Sequence, residues 1–129
     1  MWWEFAESLK EGKEVQLPQF SEEDVGHFVD IRDVARMQIA AAEHPKSTGE
    51  IFNCCGPSST SGAQFAAAVH KYYPDIKVKY GFPWSMAQGG VLYFDMSKAK
   101  KLIGFEPIYS VSDSISNIKQ WIEDGGLKK

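Results

Sequence analysis

The segment from Gly49 to Tyr73 constrains the fold of this chain most strongly, because it predicts a strand, a loop and a helix in succession. Residues 50–55 are rich in β-branched, aromatic and small apolar side chains and end at Gly56-Pro57, which is typical of a strand covered on both faces. Ser61 and Gln64 form a capping-box pattern, so a helix is expected to begin there and to end before Pro74. A strand covered on both faces needs neighbouring elements, which favours an α/β fold.

Four other segments have the apolar spacing of amphipathic helices. The first ends at Gly12, the second has Asp30 and Asp33 at its N-cap and first turn, and the third is capped by Ser97. The last begins at Ser110. Two apolar faces are expected to pack inward: Val34, Ala35, Ile39, Ala41 and Ala42 on the second helix, and Val111, Ile115, Ile118 and Ile122 on the last. Further short strands are expected at residues 15–17, 28–31, 77–80 and 93–95.

Length and composition indicate one soluble globular domain over residues 1–129, with 43% hydrophobic residues. The net charge of −3 gives no basic field, so a nucleic-acid partner is not expected. No apolar run approaches the roughly 18 to 20 residues that a membrane-spanning helix needs. The first residues carry acids where a signal peptide would carry bases. We therefore expect a cytoplasmic protein with no membrane role.

The reactive residue types do not form a metal or redox motif. Cys54 and Cys55 are adjacent, which fits neither a disulfide framework nor a Cys-x-x-Cys site, so both are expected to be reduced and buried. The three histidines, at positions 27, 44 and 70, lack metal-ligand spacing, and no metal site is expected. His70 is interpreted as polar packing on a helix flank, whereas His27 precedes a short strand and is a candidate to face a ligand cleft.

The motifs of a dinucleotide enzyme are also missing from this sequence. No glycine-rich turn links a strand to a helix, so no backbone N–H groups are predicted to approach a pyrophosphate. Tyr73 and Lys77 have the Tyr-x-x-x-Lys spacing, but Pro74 breaks the continuous helix that this pairing requires. No catalytic or cofactor-binding residue is therefore assigned.

Three short sequence motifs occur in order along the chain. They are residues 28–35 (FVDIRDVA), residues 49–53 (GEIFN), and residues 95–99 (DMSKA) followed by 102–107 (LIGFEP). Together they resemble signature segments of the NAD-dependent epimerase/dehydratase family, the extended short-chain dehydrogenases/reductases. The resemblance covers essentially all 129 residues. It implies an α/β fold that is the C-terminal part of an extended Rossmann-like enzyme, with helices packed on a small mixed sheet and without the N-terminal dinucleotide-binding half.

The same resemblance implies a function, a partner and a cofactor. It is expected to be the substrate-binding portion of an NAD(P)-dependent epimerase, dehydratase or reductase, inactive alone, with the missing Rossmann half supplied in cis or in trans. NAD or NADP is implied for the full-length enzyme, and no cofactor for this chain by itself. Trp2 and Trp3 are expected to have packed against preceding chain. Self-association through the exposed apolar surface is also expected.

The family's nucleotide-sugar members commonly place arginines before the segments that match residues 28–35 and 95–99, where guanidinium groups pair with a diphosphate. Neither place holds an arginine here, and the only two, Arg32 and Arg36, are expected on the solvated side of a helix. A small hydroxy or oxo compound is therefore the expected substrate. Five residues are expected to bind the substrate, Asn53 because the resemblance implies a cleft beside it and the last three as an apolar lid unless they simply pack: His27, Asn53, Phe82, Trp84 and Met86.

Two interpretations from other functional classes remain open. The chain could be a stand-alone module that binds a protein partner through its exposed helix and strand surfaces. It could also bind a small ligand without catalysis, which would show as saturable stabilisation by that ligand.

Overall fold

The computed structural model describes residues 2–18, 21–81 and 93–127. Within these ranges five α-helices and four two-residue strands follow in chain order: α1 (Trp2–Glu11), β1 (Val15–Gln16), β2 (Val25–Gly26), α2 (Ile31–Glu43), a 3₁₀ turn (Pro45–Ser47), β3 (Thr60–Ser61), α3 (Gly62–Tyr72), β4 (Val78–Lys79), α4 (Ser97–Ile103) and α5 (Val111–Glu123). None of these helices is long and apolar enough to cross a membrane.

The strands form two small ladders of opposite sense. β1 pairs with β4 in parallel, with Val15 opposite Val78, and β2 pairs with β3 antiparallel, with Val25 opposite Ser61. The predicted arrangement of helices on a small mixed sheet is confirmed, with the sheet divided into these two pairs.

The larger hydrophobic core joins α1, β1, α3 and α5. Phe65 on α3 is 2% exposed, and its ring makes edge-to-face contacts with Phe5 and Phe28 at centroid distances of 6.3 and 5.2 Å. Ile115 on α5 and Val69 on α3 close the same core. These buried positions are those that the 3.6-residue apolar spacing of α3 and α5 predicts.

A second, smaller core lies between α2 and α4. It is built from Met37, Ala99, Ile103 and Phe105. Phe52 and Cys54, from the segment that precedes β3, pack against it. This core attaches α2 to the part of the chain that carries α4.

The predicted helix starts and stops are largely confirmed. Ser61 with Gln64 and Ser110 with Asp113 both form reciprocal capping boxes, and Asp30 caps α2 by accepting a hydrogen bond from the Arg32 backbone N–H. The prediction that Ser97 caps α4 is wrong. Ser97 is the first helical residue, and Asp95 accepts hydrogen bonds from its backbone N–H at 2.8 Å and from its hydroxyl at 2.9 Å.

The predicted strand at residues 50–55 is wrong, because no strand is assigned there. Exposure alternates as in an extended segment: Ile51 is 84% exposed, while Phe52 and Cys54 turn toward the second core. A strand requires a ladder partner, and among the described residues this segment has none. The strands predicted at residues 28–31 and 93–95 are likewise not formed; the nearby strand is β2, at Val25–Gly26.

The predicted inner face of α2 is confirmed only in part: Ala41 packs against the second core and Val34 is half-buried, but the other three positions face outward. Ile39 is 58% exposed, and Ala35 and Ala42 are exposed as well. The buried positions are Asp33 and Met37, because the aspartate is enclosed by hydrogen-bond donors and the methionine fills the second core. An outward apolar stripe remains on α2, formed by Ile31, Ala35, Ile39 and Ala42 at helical spacing.

The contrast between inward and outward isoleucines gives a direct test. Ile115→Val should lower the free energy of unfolding by about 1 kcal/mol, because it removes a methyl group from a side chain in the core. Ile39→Val, the same change in an exposed position of another helix, should stay within about 0.5 kcal/mol of the parent chain. Urea unfolding followed by circular dichroism measures both. Equal losses in the two variants would contradict the assignment of the core.

Candidate functional site

The candidate site lies where the segment after β2 meets Gly56. The Gly56 backbone N–H donates to the Phe28 carbonyl oxygen at 2.6 Å. A Cβ atom at position 56 would lie 2.5 Å from that oxygen, so only glycine permits this approach. The contact places His27 beside the Gly56-Pro57 turn.

His27 is half-buried and joins three segments of the chain. Its Nε2 lies 2.9 Å from the Gly56 carbonyl oxygen, and its Nδ1 accepts a hydrogen bond from the Phe94 backbone N–H at 3.1 Å. Its ring stacks on Tyr93 with a centroid distance of 5.4 Å. Because both ring nitrogens are engaged within the chain, His27 acts in this structure as a connector and not as a free base.

Asn53 bonds to the same short segment as His27, residues 93–95. It is exposed, and its side-chain N–H donates to the Asp95 carbonyl oxygen at 3.0 Å. The structure thus brings His27 and Asn53 to one short stretch, Tyr93–Asp95, which leads into α4. Phe82, Trp84 and Met86 lie outside the described residues, so the role of the five as a substrate-binding set stays a prediction.

A cavity of about 320 Å³ lies on one side of this arrangement. Its wall is formed by His27, by the Gly56-Pro57 turn, and by residues 93–97, Lys100 and 105–107. Its charged groups are paired: Lys100 contacts Glu106 at 2.9 Å, and Asp95 caps α4. Asp95 was not predicted as a site residue, although an aspartate two residues before a serine is a pattern that bonds to the backbone at helix starts.

A larger and more apolar cleft of about 630 Å³ lies on the other side of His27. Its wall includes Trp2, Phe28, Ile31, Phe65 and Ile118. The polar lining includes Asp30 and Ser114, which bond to each other at 2.6 Å. The cleft therefore suits an apolar occupant better than a charged one.

Two carboxylates at the start of α2 form ion pairs near the site. Asp30 accepts a fork of hydrogen bonds from the Arg32 guanidinium, at 2.8 and 2.9 Å. The Arg32 fork lowers the pKa of Asp30 to about 2, the Ser114 hydroxyl adds to this effect, and burial partly opposes it. The Arg32 guanidinium also stacks over the Tyr109 ring at 3.8 Å.

Asp33 is fully buried and is satisfied by several donors. It accepts hydrogen bonds from Arg36 and from the backbone N–H groups of Ile108 and Tyr109, the latter two at 3.0 and 2.9 Å. The expectation that Arg32 and Arg36 lie on a solvated helix side is confirmed only in part, since their side chains are 35% and 41% exposed. Both are paired with buried carboxylates, because an aspartate at this depth needs charged donors.

Three helix starts in the described ranges are occupied by groups of the chain itself. The N-terminal N–H groups of α3 are already used, since Gly62 and Ala63 donate to the carbonyl oxygens of Asp24 and Glu22, both at 2.9 Å. The starts of α2 and α5 are filled by Asp30 and by the Ser110 capping box. Within the described ranges no three His, Cys, Asp or Glu residues are grouped to hold a metal ion.

The two cysteines are free, as predicted. Cys55 is buried, whereas Cys54 is half-buried. Burial raises the pKa of both thiols, so both stay protonated at neutral pH and are poor nucleophiles.

Comparison with known proteins gives matches among solved structures, while no protein-family model and no curated protein matches the chain. A partial-consensus L-threonine 3-dehydrogenase matches with a TM-score of 0.76 and 20% identity, over 94% of this chain and 41% of that one. The GalE-like L-threonine dehydrogenase of Cupriavidus necator, in its apo form, matches with a TM-score of 0.75 and 22% identity, over 97% and 44%. The chain has the fold of the C-terminal part of an extended short-chain dehydrogenase/reductase.

Other enzymes with this extended short-chain dehydrogenase/reductase fold match equally well. The UDP-glucuronic acid 4-epimerase of Bacillus cereus, in complex with UDP-glucuronic acid and NAD, matches with a TM-score of 0.72 and 22% identity, over 93% of this chain and 38% of that one. The chain thus spans about two-fifths of the length of the enzymes that it matches. The fold class and the structural resemblance predicted from the sequence are confirmed.

The lowered pKa of Asp30 predicts how stability changes with acid. A carboxylate whose pKa is lower in the folded state stabilises that state above its unfolded pKa of about 4 and loses this contribution as the pH falls toward about 2. Asp30→Asn should remove on the order of 1 to 2 kcal/mol of this acid-dependent stability, the lower figure allowing for the partly exposed Arg32. Thermal unfolding between pH 5 and pH 2 would measure it.

Arg32→Lys serves as the control for this effect. It keeps the positive charge but loses the two-pronged fork, so its acid dependence should lie between that of the parent chain and that of Asp30→Asn. If stability fell equally between pH 5 and pH 2 in all three proteins, the pairing of Asp30 with Arg32 would be contradicted.

Proposed function

We propose that this chain is the substrate-binding portion of an NAD(P)-dependent epimerase, dehydratase or reductase of the extended short-chain dehydrogenase/reductase family, and that it has no turnover by itself. The fold likeness carries this proposal: it extends over 94% of this chain but only 41% of an L-threonine 3-dehydrogenase. The three sequence segments that resemble the family support it independently, since they were identified from residues alone.

The nicotinamide cofactor is assigned to another portion of the enzyme. Three helix N-termini of this chain are filled by its own groups, and its sequence contains no glycine-rich turn between a strand and a helix. Tyr73 caps the end of α3, and Lys77 lies beyond that helix, so they do not form a proton-donating pair on one face. Hydride transfer therefore needs a dinucleotide-binding half, in cis or in trans.

The outward apolar surface is proposed to receive that half. Ile31 and Ile39, on the α2 stripe, are 72% and 58% exposed, and Ile51 is 84% exposed. Trp2, 46% exposed, borders the same cleft as Ile31. Apolar side chains exposed to this extent on successive turns of one helix mark an interaction face. The unpaired extended segment at residues 50–55 supplies backbone groups that a neighbouring strand can pair with.

A small hydroxy or oxo compound is proposed as substrate in preference to a nucleotide sugar. Both arginines are committed to Asp30 and Asp33, and Lys100 is paired with Glu106 at the cavity. Residues 82–92 contain no lysine or arginine in the sequence. A diphosphate would thus find little positive charge beside the candidate site. The fold likeness does not decide this point, because L-threonine dehydrogenases and UDP-sugar epimerases both match the chain, so the proposal is carried by the charges alone.

The apolar cleft beside His27 favours one alternative, namely the binding of a small apolar ligand without catalysis. Such a ligand would raise the melting temperature of the isolated chain in a saturable way. The proposed enzyme portion requires the second half before its substrate site is complete.

Reconstitution tests the proposal directly. A separately produced dinucleotide-binding half is mixed with this chain. NAD(P)H formation is followed with short hydroxy compounds and NAD(P)H consumption with short oxo compounds. Conversion of UDP-sugars is followed by chromatography of the products, because epimerisation leaves no net NAD(P)H. Turnover should occur only in the mixture and only with the small substrates. Ile39→Glu should weaken assembly about tenfold or more, because it places a charge in the apolar contact.

Ala67→Glu is the matched control for this experiment. It introduces the same charge at an exposed alanine of α3, away from the α2 stripe, and should leave assembly unchanged. Turnover by this chain alone would refute the proposal that it lacks the catalytic set. Equal effects of the two glutamate variants would refute the α2 stripe as the contact.

The isolated chain is predicted to self-associate, because the same apolar surface has no other cover in the absence of the second half. Light scattering over a range of concentrations should show a rising mean mass for the parent chain. The Ile31→Glu, Ile39→Glu double variant should remain monomeric. A monomeric parent chain at high concentration would show that this prediction is wrong.

A further inference from the structure

The hydrogen bonds of His27 restrict its imidazole to one protonation form. The Gly56 carbonyl oxygen can only accept, so Nε2, 2.9 Å away, must carry a proton. The Phe94 backbone N–H can only donate, so Nδ1, 3.1 Å away, must be unprotonated. Only the neutral imidazole with its proton on Nε2 satisfies both partners.

Protonation of this ring changes one of the two contacts and leaves the other intact. An imidazolium carries protons on both nitrogens, so Nδ1–H would face the Phe94 N–H, donor against donor. The Gly56 contact would persist, because Nε2 still donates. Histidine is the side-chain type that changes charge between about pH 5 and pH 8, so the conflict is tested across that range.

Among the described residues, the groups around His27 supply no compensating partner for Nδ1–H. The Tyr93 ring stacks on the imidazole, and its face weakly favours a cation. Of the charged residues that line the adjoining cavities, Asp95 is bonded to Ser97, Lys100 to Glu106, and Asp30 to Arg32. These neighbours are engaged with each other, which leaves the hydrogen-bond geometry to decide the outcome.

We propose that His27 is a pH-sensitive latch that holds Tyr93–Asp95 against the Gly56-Pro57 turn when neutral and releases it when protonated. This segment forms one wall of the 320 Å³ cavity, so the cavity is complete only while His27 is neutral. Asn53, which holds Asp95 through a bond that does not titrate, keeps the released segment tethered. The inference concerns the chain itself and does not depend on the proposed function.

The hydrogen bond of His70, unlike those of His27, is compatible with both protonation states. His70 bonds to the Ile76 carbonyl oxygen at 3.0 Å through Nε2. That nitrogen donates in the neutral Nε2–H form and in the cation alike, so protonation preserves the contact. His70 thus provides an internal comparison within the same chain.

Amide hydrogen exchange measured by NMR tests the latch. The protection factor of the Phe94 amide should fall roughly fivefold to tenfold as the pH is lowered from about 8 to about 5, the range that one lost hydrogen bond produces. Amides in the middle of α3 should keep their protection over the same range. Nitrogen chemical shifts of the His27 ring should show the Nε2–H form at the upper end.

Two substitutions separate the two hydrogen bonds of His27. His27→Asn places a side-chain oxygen near the position of Nδ1, so it should keep the Phe94 amide protected at every pH. His27→Gln places a side-chain N–H near the position of Nε2 and offers no acceptor to Phe94, so protection should be low at every pH. His70→Gln should retain the pH dependence of the parent chain.

Three results would overturn the proposal. The first is a Phe94 protection factor that does not change between the two pH values. The second is a parallel loss of protection in α3, which would show unfolding of the whole chain in place of local release. The third is a pH dependence that survives in both His27 variants.

Discussion

The two carboxylates at the start of α2 organise the rest of this structure. Asp30 and Asp33 are nearly inaccessible to water, and their oxygens receive hydrogen bonds from two arginines, from Ser114 on α5 and from the backbone before α5. A buried carboxylate without such donors would cost several kcal/mol. The position of α2 relative to α5 is therefore restricted, and with it the place of His27, three residues before Asp30.

This anchoring turns one face of α2 inward and leaves an apolar stripe outside. Met37 fills the second core, while Ile31 and Ile39 face outward. A helix held through buried charges does not need its most apolar side for its own attachment, so that side is free for another surface. The stripe, the exposed Ile51 and the fold likeness over two-fifths of larger enzymes all agree with a chain shaped to fit a second body.

The candidate site was only partly predictable from the sequence. His27 was singled out because it precedes a short strand, and Asn53 because the family resemblance places a cleft beside it. Their convergence on Tyr93–Asp95 follows from contacts that span 67 and 42 positions of the chain, which no local pattern encodes. The ion pairs of the arginines were not predicted for a related reason: helical spacing shows which side a residue occupies, but not that a buried aspartate requires its charge.

The sequence by itself determined where α3 and α5 begin, because a cap such as Ser61 with Gln64 or Ser110 with Asp113 needs only residues three positions apart. It also determined the fold class, because residues 28–35, 49–53 and 95–107 resemble family segments and follow one another in the same order. Only the tertiary structure decided that residues 50–55 form no strand and that Asp33, not Ile39, is the inward residue of α2. A strand depends on a partner and an inward face depends on its surroundings, and both are supplied by distant parts of the chain.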